Sequence, residues 1–221
     1  MRVAKIQEIK EQWKQDMAAQ NEFSEYYKYD CLDNYNTFWD LEELDFGSMY
    51  EKSFAGKISH ALWDGSHFSP RSVMLQFIAQ QKEIVRSCFR DLFMDHNDLG
   101  LRVKRFLDHC DQMLADLQRK DNKFSTHYHD LRMVTTYLAF EYPEKYCIIE
   151  PIAFIKMLNA LEMKNLPQAF ESERLIKLSQ TVYKIISKDE ELINIHTVLS
   201  KGKDPRGVFM MHDFTLFANT L

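Results

Sequence analysis

The sequence has few of the residues that interrupt helices. Its 221 residues include only 6 glycines and 5 prolines, too few for the many tight turns of a β-sandwich or β-barrel. No apolar run approaches the roughly 20 residues that a membrane-spanning helix needs. The N-terminal stretch is charged throughout, unlike a signal peptide. The sequence therefore favours a mainly helical protein that resides in the cytoplasm.

The sequence also lacks the short motifs on which many catalytic and metal sites depend. Its four cysteines are far apart and form no CxxC pair, so we predict reduced, mostly buried thiols rather than a zinc site. It contains no phosphate loop, no GxSxG and no HExxH. We therefore predict that this chain has no catalytic residues, no metal and no cofactor of its own.

Basic residues are scarce in the first third of the chain. The net charge is −5, and residues 1–64 hold 7 Lys and Arg against 13 Asp and Glu. Asp30 to Asp45 contains six acids, no base and several aromatic residues. This segment is either a solvated acidic surface whose aromatic rings pack inward, or a docking surface for a basic partner. We predict one short helix in it, near Phe38–Leu44.

Apolar residues recur at helical spacing along most of the remaining chain. Ser69 and Pro70 suit the start of a long helix, and Asp98 suits the cap of the next one. The link between them is short, so the two helices should pack antiparallel. We predict a multi-helix bundle with an irregular aromatic and acidic N-terminal segment and little or no β-sheet. Its two regions, 1–64 and 65–221, are expected to pack together as one unit.

The stretch TYLAFEYPEKYCIIEP contains two prolines that punctuate a helical pattern. A residue that precedes proline is disfavoured in helical geometry, so Pro143 should end one helix at about Tyr142. We predict a short extended piece at Tyr146–Ile149 and a new helix that begins at Pro151. The join is interpreted as architecture rather than as an active site.

The two long helices carry basic side chains that are candidate nucleic-acid contacts. Three of them are spaced four apart, so we expect them to share a face opposite the apolar stripe, where they could follow DNA phosphates. A solvated amphipathic helix has the same pattern, and both interpretations stay open. The six candidates are Lys82, Arg86, Arg90, Arg102, Lys104 and Arg105.

Histidines cluster where a further helix is predicted to start. His127, His129 and Asp130 are residue types that bind divalent metals. Residues two apart in a helix do not share a face, which argues against a joint site. The alternative is a polar helix start in which Asp130 interacts with the helix dipole.

Three segments together resemble the region upstream of the ATPase module in McrB-type AAA+ restriction proteins. In CFRDLFMDHNDLGLRVKRFL the matching residues are Leu92, Phe93, Asp95, Asp98, Arg102 and Phe106. In HYHDLRMVTTYLAFEYPEKYCIIEP they are Tyr142, Pro143, Lys145 and Tyr146. The terminal helix with His212, Asp213 and Phe214 resembles the segment that precedes the AAA+ module. The similarity covers roughly residues 70–221.

This resemblance implies a non-catalytic N-terminal recognition or adaptor domain of a bacterial defence system. In such a system the recognised partner is DNA with modified cytosine, such as 5-methylcytosine. An AAA+ motor and a nuclease subunit, in cis or in trans, supply NTP hydrolysis and cleavage. The alternative is a helical protein–protein interaction module unrelated to DNA. A weaker alternative is a metal-dependent hydrolase that uses His127, His129 and Asp130.

Overall fold

A computed structural model describes residues 1–20, 27–55, 69–120, 123–204 and 208–221. Within these ranges the chain forms ten α-helices and no β-strand, which confirms the predicted mainly α multi-helix fold. No helix in this described part is both long enough and apolar enough to cross a bilayer. The helices are α1 (Val3–Ala18), α2 (Tyr27–Phe38), α3 (Phe46–Ser53), α4 (Pro70–Phe93), α5 (Leu99–Lys120), α6 (Leu131–Glu141), α7 (Pro151–Ala160), α8 (Ser172–Ile186), α9 (Glu190–Leu199) and α10 (Met210–Ala218).

The chain divides into two compact units. The terminal unit consists of Met1–Tyr26 and Thr135–Leu221, and the central unit consists of Tyr27–Val134. The boundary between Val134 and Thr135 therefore lies inside α6. The boundary that we predict at residues 64 and 65 lies outside the described residues.

Aromatic side chains form the centre of the central unit. The prediction of a helix at Phe38–Leu44 is wrong: α2 ends at Phe38, and α3 begins at Phe46. Asp45 caps α3 by accepting a hydrogen bond from the backbone N–H of Ser48 at 3.0 Å. Between the helices, Trp39 turns inward, and its ring lies 5.0 to 6.3 Å from six aromatic rings. These are Tyr35, Phe46, Tyr50, Phe54, Phe89 and Phe93.

Helices α4 and α5 pack antiparallel, as predicted. Gln81, in the first half of α4, donates to Asp116 near the end of α5 at 3.2 Å. At the other end, Arg102 of α5 donates to the carbonyl of Leu92. Pro70 is the first residue of α4, and Ser69 occupies the cap position. The predicted cap of α5 is confirmed by the bond from the Leu101 N–H to Asp98 at 2.9 Å.

In the terminal unit, α1 buries one apolar stripe that contains Ile6, Ile9, Trp13 and Met17. Against it pack α8, α9 and α10, and the rings of Trp13 and Phe214 lie 5.3 Å apart. An amphipathic helix packs against the core through an apolar stripe at this spacing.

In the terminal unit one helix ends just before Pro143 and the next begins at Pro151, as predicted. Helix α6 ends at Glu141, and the carbonyl of Tyr142 accepts hydrogen bonds from the N–H groups of Lys145 and Tyr146 at 2.9 and 3.0 Å. Residues 146–149 have no regular secondary structure, and the Ile149 N–H donates to the hydroxyl of Thr135 at 3.0 Å. Helix α7 then begins at Pro151.

Candidate functional site

Arg86 is buried among main-chain carbonyls and is not on a solvated surface. It is 5% exposed, so the prediction that it lies opposite the apolar stripe is wrong. Its guanidinium donates to the carbonyls of Leu41 and Glu43, the latter at 2.8 Å. It also lies 4.6 Å above the ring of Phe46, a favourable cation–π geometry. The segment between α2 and α3 folds over this arginine and buries it.

Arg102 is more deeply buried, at 1% exposed. Its guanidinium donates to the carbonyl of Leu92 at 2.5 Å and lies 3.6 Å from the carboxylate of Asp95. Arg102 therefore joins the end of α4 to the start of α5. We call Arg86 and Arg102 the inner arginines.

The other four candidates are partly exposed and form ion pairs at the surface. Their side chains are 42% to 69% exposed. Arg90 pairs with Glu42 at 2.7 Å, and Arg105 pairs with Asp91 at 2.7 Å. Such exposed pairs contribute only about 0 to 1 kcal/mol each, so another anion can replace the carboxylate at small cost. We call these four the outer cations: Lys82, Arg90, Lys104 and Arg105.

A groove of about 660 Å³ lies along α4 and α5. One of the outer cations, Arg105, is in its wall and donates to both carboxylate oxygens of Asp91 at 2.7 and 2.8 Å. Near Gln81 the backbone of α4 departs from helical geometry (φ −143°, ψ 51°). The lining residues are Gln81, Glu83, Ile84, Ser87, Cys88, Asp91, Arg105, His109, Gln112, Met113 and Asp116.

The two histidines of the HxH motif precede the helix that we predicted to contain them. Helix α6 begins only at Leu131, and Tyr128 has a left-handed φ of 58°. This turn brings the rings of His127 and His129 to 5.6 Å apart, which two residues at this spacing in a helix would not reach. Asp130 does not join them, because its carboxylate caps α6 by accepting from the Met133 N–H at 3.0 Å.

Cys110 of α5 lies beside the two histidines instead of Asp130. The ligand atoms of Cys110, His127 and His129 all lie within 4.8 Å of one another. A connector separates Cys110 from the HxH motif in the sequence. Within α5, Cys110 belongs to the stripe of buried residues. Sequence spacing therefore gave no signal for this cluster.

The environment of the cluster favours the neutral forms of His129 and Cys110. Burial and the neighbouring His127 lower the pKa of His129 to about 3. Burial also raises the pKa of the Cys110 thiol well above its usual range. All four cysteines of the chain are free and buried, which confirms that they are buried thiols.

The terminal unit has its own buried polar cluster. His196 is fully buried, and its Nε2 lies 3.9 Å from Asp204 and 3.7 Å from Asp213. Next to Asp213 in α10, His212 lies 3.5 Å from Glu150, the residue that precedes α7. The cluster links α9, α10 and the start of α7 within the terminal unit.

Comparison with protein-family models, with curated proteins and with solved structures found no match.

Proposed function

We propose that this chain is a non-catalytic recognition or adaptor module of an McrB-like, NTP-dependent restriction system. The observation that carries the proposal is the contact of Arg102 with Leu92 and Asp95. These three residues belong to the segment of resemblance, and together they fix the joint between α4 and α5. Residues that together fix the joint between two helices have a structural reason to occur in other proteins with the same joint.

The same proposal extends to the second segment of resemblance. Tyr142, Pro143 and Tyr146 form the turn that ends α6, and Tyr146 is 3% exposed. These residues shape the chain at the end of α6. The proposal accordingly assigns NTP hydrolysis and DNA cleavage to an AAA+ motor and a nuclease subunit. It also places the module in the cytoplasm with them.

The ligand that we propose is duplex DNA with modified cytosine, contacted through the outer cations. Helices α4 and α5 are antiparallel neighbours, so both can present basic side chains to one phosphate backbone. The carboxylates that now neutralise Arg90 and Lys104 are 73% and 57% exposed. Phosphate can displace such exposed carboxylates at small cost, because an exposed ion pair contributes little free energy.

Fluorescence anisotropy tests this proposal. Labelled duplexes that differ only in unmodified cytosine, 5-methylcytosine or 5-hydroxymethylcytosine are titrated with the intact chain at low and at moderate salt. We expect tighter binding to a modified duplex, with affinity that falls as salt rises. Absence of binding to every duplex at low salt would overturn the DNA-reader part of the proposal.

A second candidate is a helical protein–protein interaction module unrelated to DNA. It is favoured by two apolar side chains beside the acidic loop between α2 and α3: Leu44 is 85% exposed and Phe38 is 44% exposed. Exposed apolar groups with acidic neighbours suit a basic, amphipathic partner. A Phe38→Ser, Leu44→Ser variant separates the two candidates, because it changes no charge and should leave DNA binding through the outer cations unchanged.

A further inference from the structure

A cysteine and two histidines that the proposed function does not use meet in the central unit. They come from α5 and from the turn before α6, and their ligand atoms lie within 4.8 Å of one another. We propose that Cys110, His127 and His129 bind one zinc ion.

The chemistry of the three groups suits zinc. Zn²⁺ prefers thiolate sulfur and imidazole nitrogen, and three protein ligands leave one tetrahedral position for water or an exogenous ligand. On binding, the S–H bond of Cys110 breaks, a Zn–S bond forms and the proton passes to solvent. Carboxylate-rich sites favour magnesium or calcium, and this cluster contains none of those ligands.

The hydrogen bonds around His129 orient it as a metal ligand. Its Nδ1 lies 2.8 Å from the carbonyl oxygen of His127, so Nδ1 carries the hydrogen and donates it. The lone pair is then on Nε2. Orientation of a ligating imidazole by a carbonyl or carboxylate partner on the other nitrogen is typical of metal sites.

His127 is held by two hydrogen bonds of different kinds. Its Nδ1 accepts from the backbone N–H of His129 at 2.9 Å, so its Nε2 donates to Asp111 at 3.1 Å. A metal ion binds the lone pair of Nδ1 in place of the His129 N–H, and the bond from the Nε2–H to Asp111 then orients the ring. Asp111 is 75% exposed, so its carboxylate can also compensate the added positive charge.

The surroundings are closed on one side and open on the other. His129 lies 6.5 Å from the ring of Phe77 and 6.3 Å from that of Phe106, and Cys110 is fully buried. The side chain of His127 is 12% exposed, which gives a metal ion a route from solvent. An apolar wall of this kind strengthens coordination by excluding water.

Cobalt substitution and zinc titration of the intact chain test the site. The protein is stripped of metal with a chelator and titrated with Co²⁺, which absorbs in the near ultraviolet when a thiolate binds it. Zinc affinity is then measured by competition with a chromophoric chelator. We expect one equivalent of Co²⁺ with a thiolate band, and displacement of that band by one equivalent of Zn²⁺.

Variants distinguish this site from adventitious binding. Cys110→Ser should lose the thiolate band, and His127→Asn should weaken zinc binding at least about tenfold. The controls Cys31→Ser and His96→Asn, at a buried cysteine and an exposed histidine elsewhere in the unit, should keep both properties. Asp111→Asn leaves all three ligands in place, and we expect it to weaken zinc binding by about tenfold while circular dichroism stays unchanged.

Two results would overturn the site. One is a folded wild-type chain that takes up no Co²⁺ with a thiolate band. The other is Cys110→Ser or His127→Asn protein that binds zinc as tightly as the wild type. Neither result bears on DNA binding, because the outer cations and this cluster share no residue.

Discussion

Basic side chains on α4 and α5 occupy two regions that use the same charge differently. The inner arginines are at most 5% exposed and donate to main-chain carbonyls. The outer cations are at least 42% exposed and are paired mainly with carboxylates. Removal of an inner charge leaves main-chain carbonyls without their charged donors, whereas removal of an outer charge leaves a solvated acid. We therefore expect the inner arginines to govern the stability of the fold, and we propose that the outer cations govern DNA binding.

The largest effect is expected at Arg102. Arg102→Met keeps the apolar stem but leaves the carbonyl of Leu92 without its charged donor, which should cost about 3 kcal/mol of unfolding free energy. Urea denaturation followed by circular dichroism measures it. Lys104→Met on the same helix is the matched exposed control. A loss below about 1 kcal/mol would show that Arg102 is not a structural tie.

A smaller loss is expected at Arg86. Arg86→Met removes donors to the carbonyls of Leu41 and Glu43 and the contact with Phe46. These carbonyls belong to a loop that can turn toward water, so we expect about 2 kcal/mol. Arg90→Met, one turn further along α4, is the control for urea denaturation. Equal losses in the two variants would contradict the distinction between inner and outer regions.

The terminal unit offers an intermediate case. Lys10 is 7% exposed and lies 2.6 Å from Asp189, which also lies 3.3 Å from Lys14. Burial alone would raise the pKa of Asp189, but bonds from Lys10, from the Leu192 N–H and from Lys14 outweigh it. Together they lower the pKa of Asp189 to about 2.

The pH dependence follows from the sign of this shift. The pKa is depressed in the folded state, so its contribution is present above about pH 4, the unfolded value, and is lost as pH falls toward 2. Asp189→Asn keeps the helix cap but removes the charge. We expect it to lower the free energy of unfolding by about 1 to 2 kcal/mol at pH 7, and to reduce the loss of stability between about pH 4 and pH 2. Urea denaturation at a series of pH values measures both. An unchanged loss of stability over this pH range would contradict the ion-pair account.

The smallest stability effects are expected at the outer cations. Lys104→Ala removes an exposed pair with Asp108 at 2.5 Å, and we expect a change of less than about 0.5 kcal/mol. The same should hold for Arg90→Ala. Thermal melting compares the stability loss of these two variants with that of Arg86→Met and Arg102→Met. A large drop for either would move that residue from the outer to the inner region.

Local rules predicted much of the fold but not the positions of these side chains. Proline and cap signals correctly predicted the start of α4, the cap of α5 and the join at Pro143. Helical spacing alone placed Arg86 on a solvated face, because a helix pattern cannot show that the loop between α2 and α3 folds over it.

The cysteine–histidine cluster shows the same limit. The distance rule for helices argued against a joint site for His127 and His129. That rule did not apply, because Tyr128 adopts a left-handed turn before α6 begins. Cys110 came near through tertiary packing of α5, which leaves no trace in local spacing.

The salt dependence of DNA binding shows whether the outer cations contact DNA phosphates. Anisotropy with a modified duplex compares the wild type with a variant in which all four outer cations are changed to Gln. The control is Arg2→Gln with Lys177→Gln, whose side chains are 71% and 69% exposed in the terminal unit. We expect the slope of log affinity against log salt to fall by about 3 to 4 in the outer variant, and by less than about 1 in the control. Absence of binding by the wild type, or an unchanged slope in the outer variant, would contradict the account.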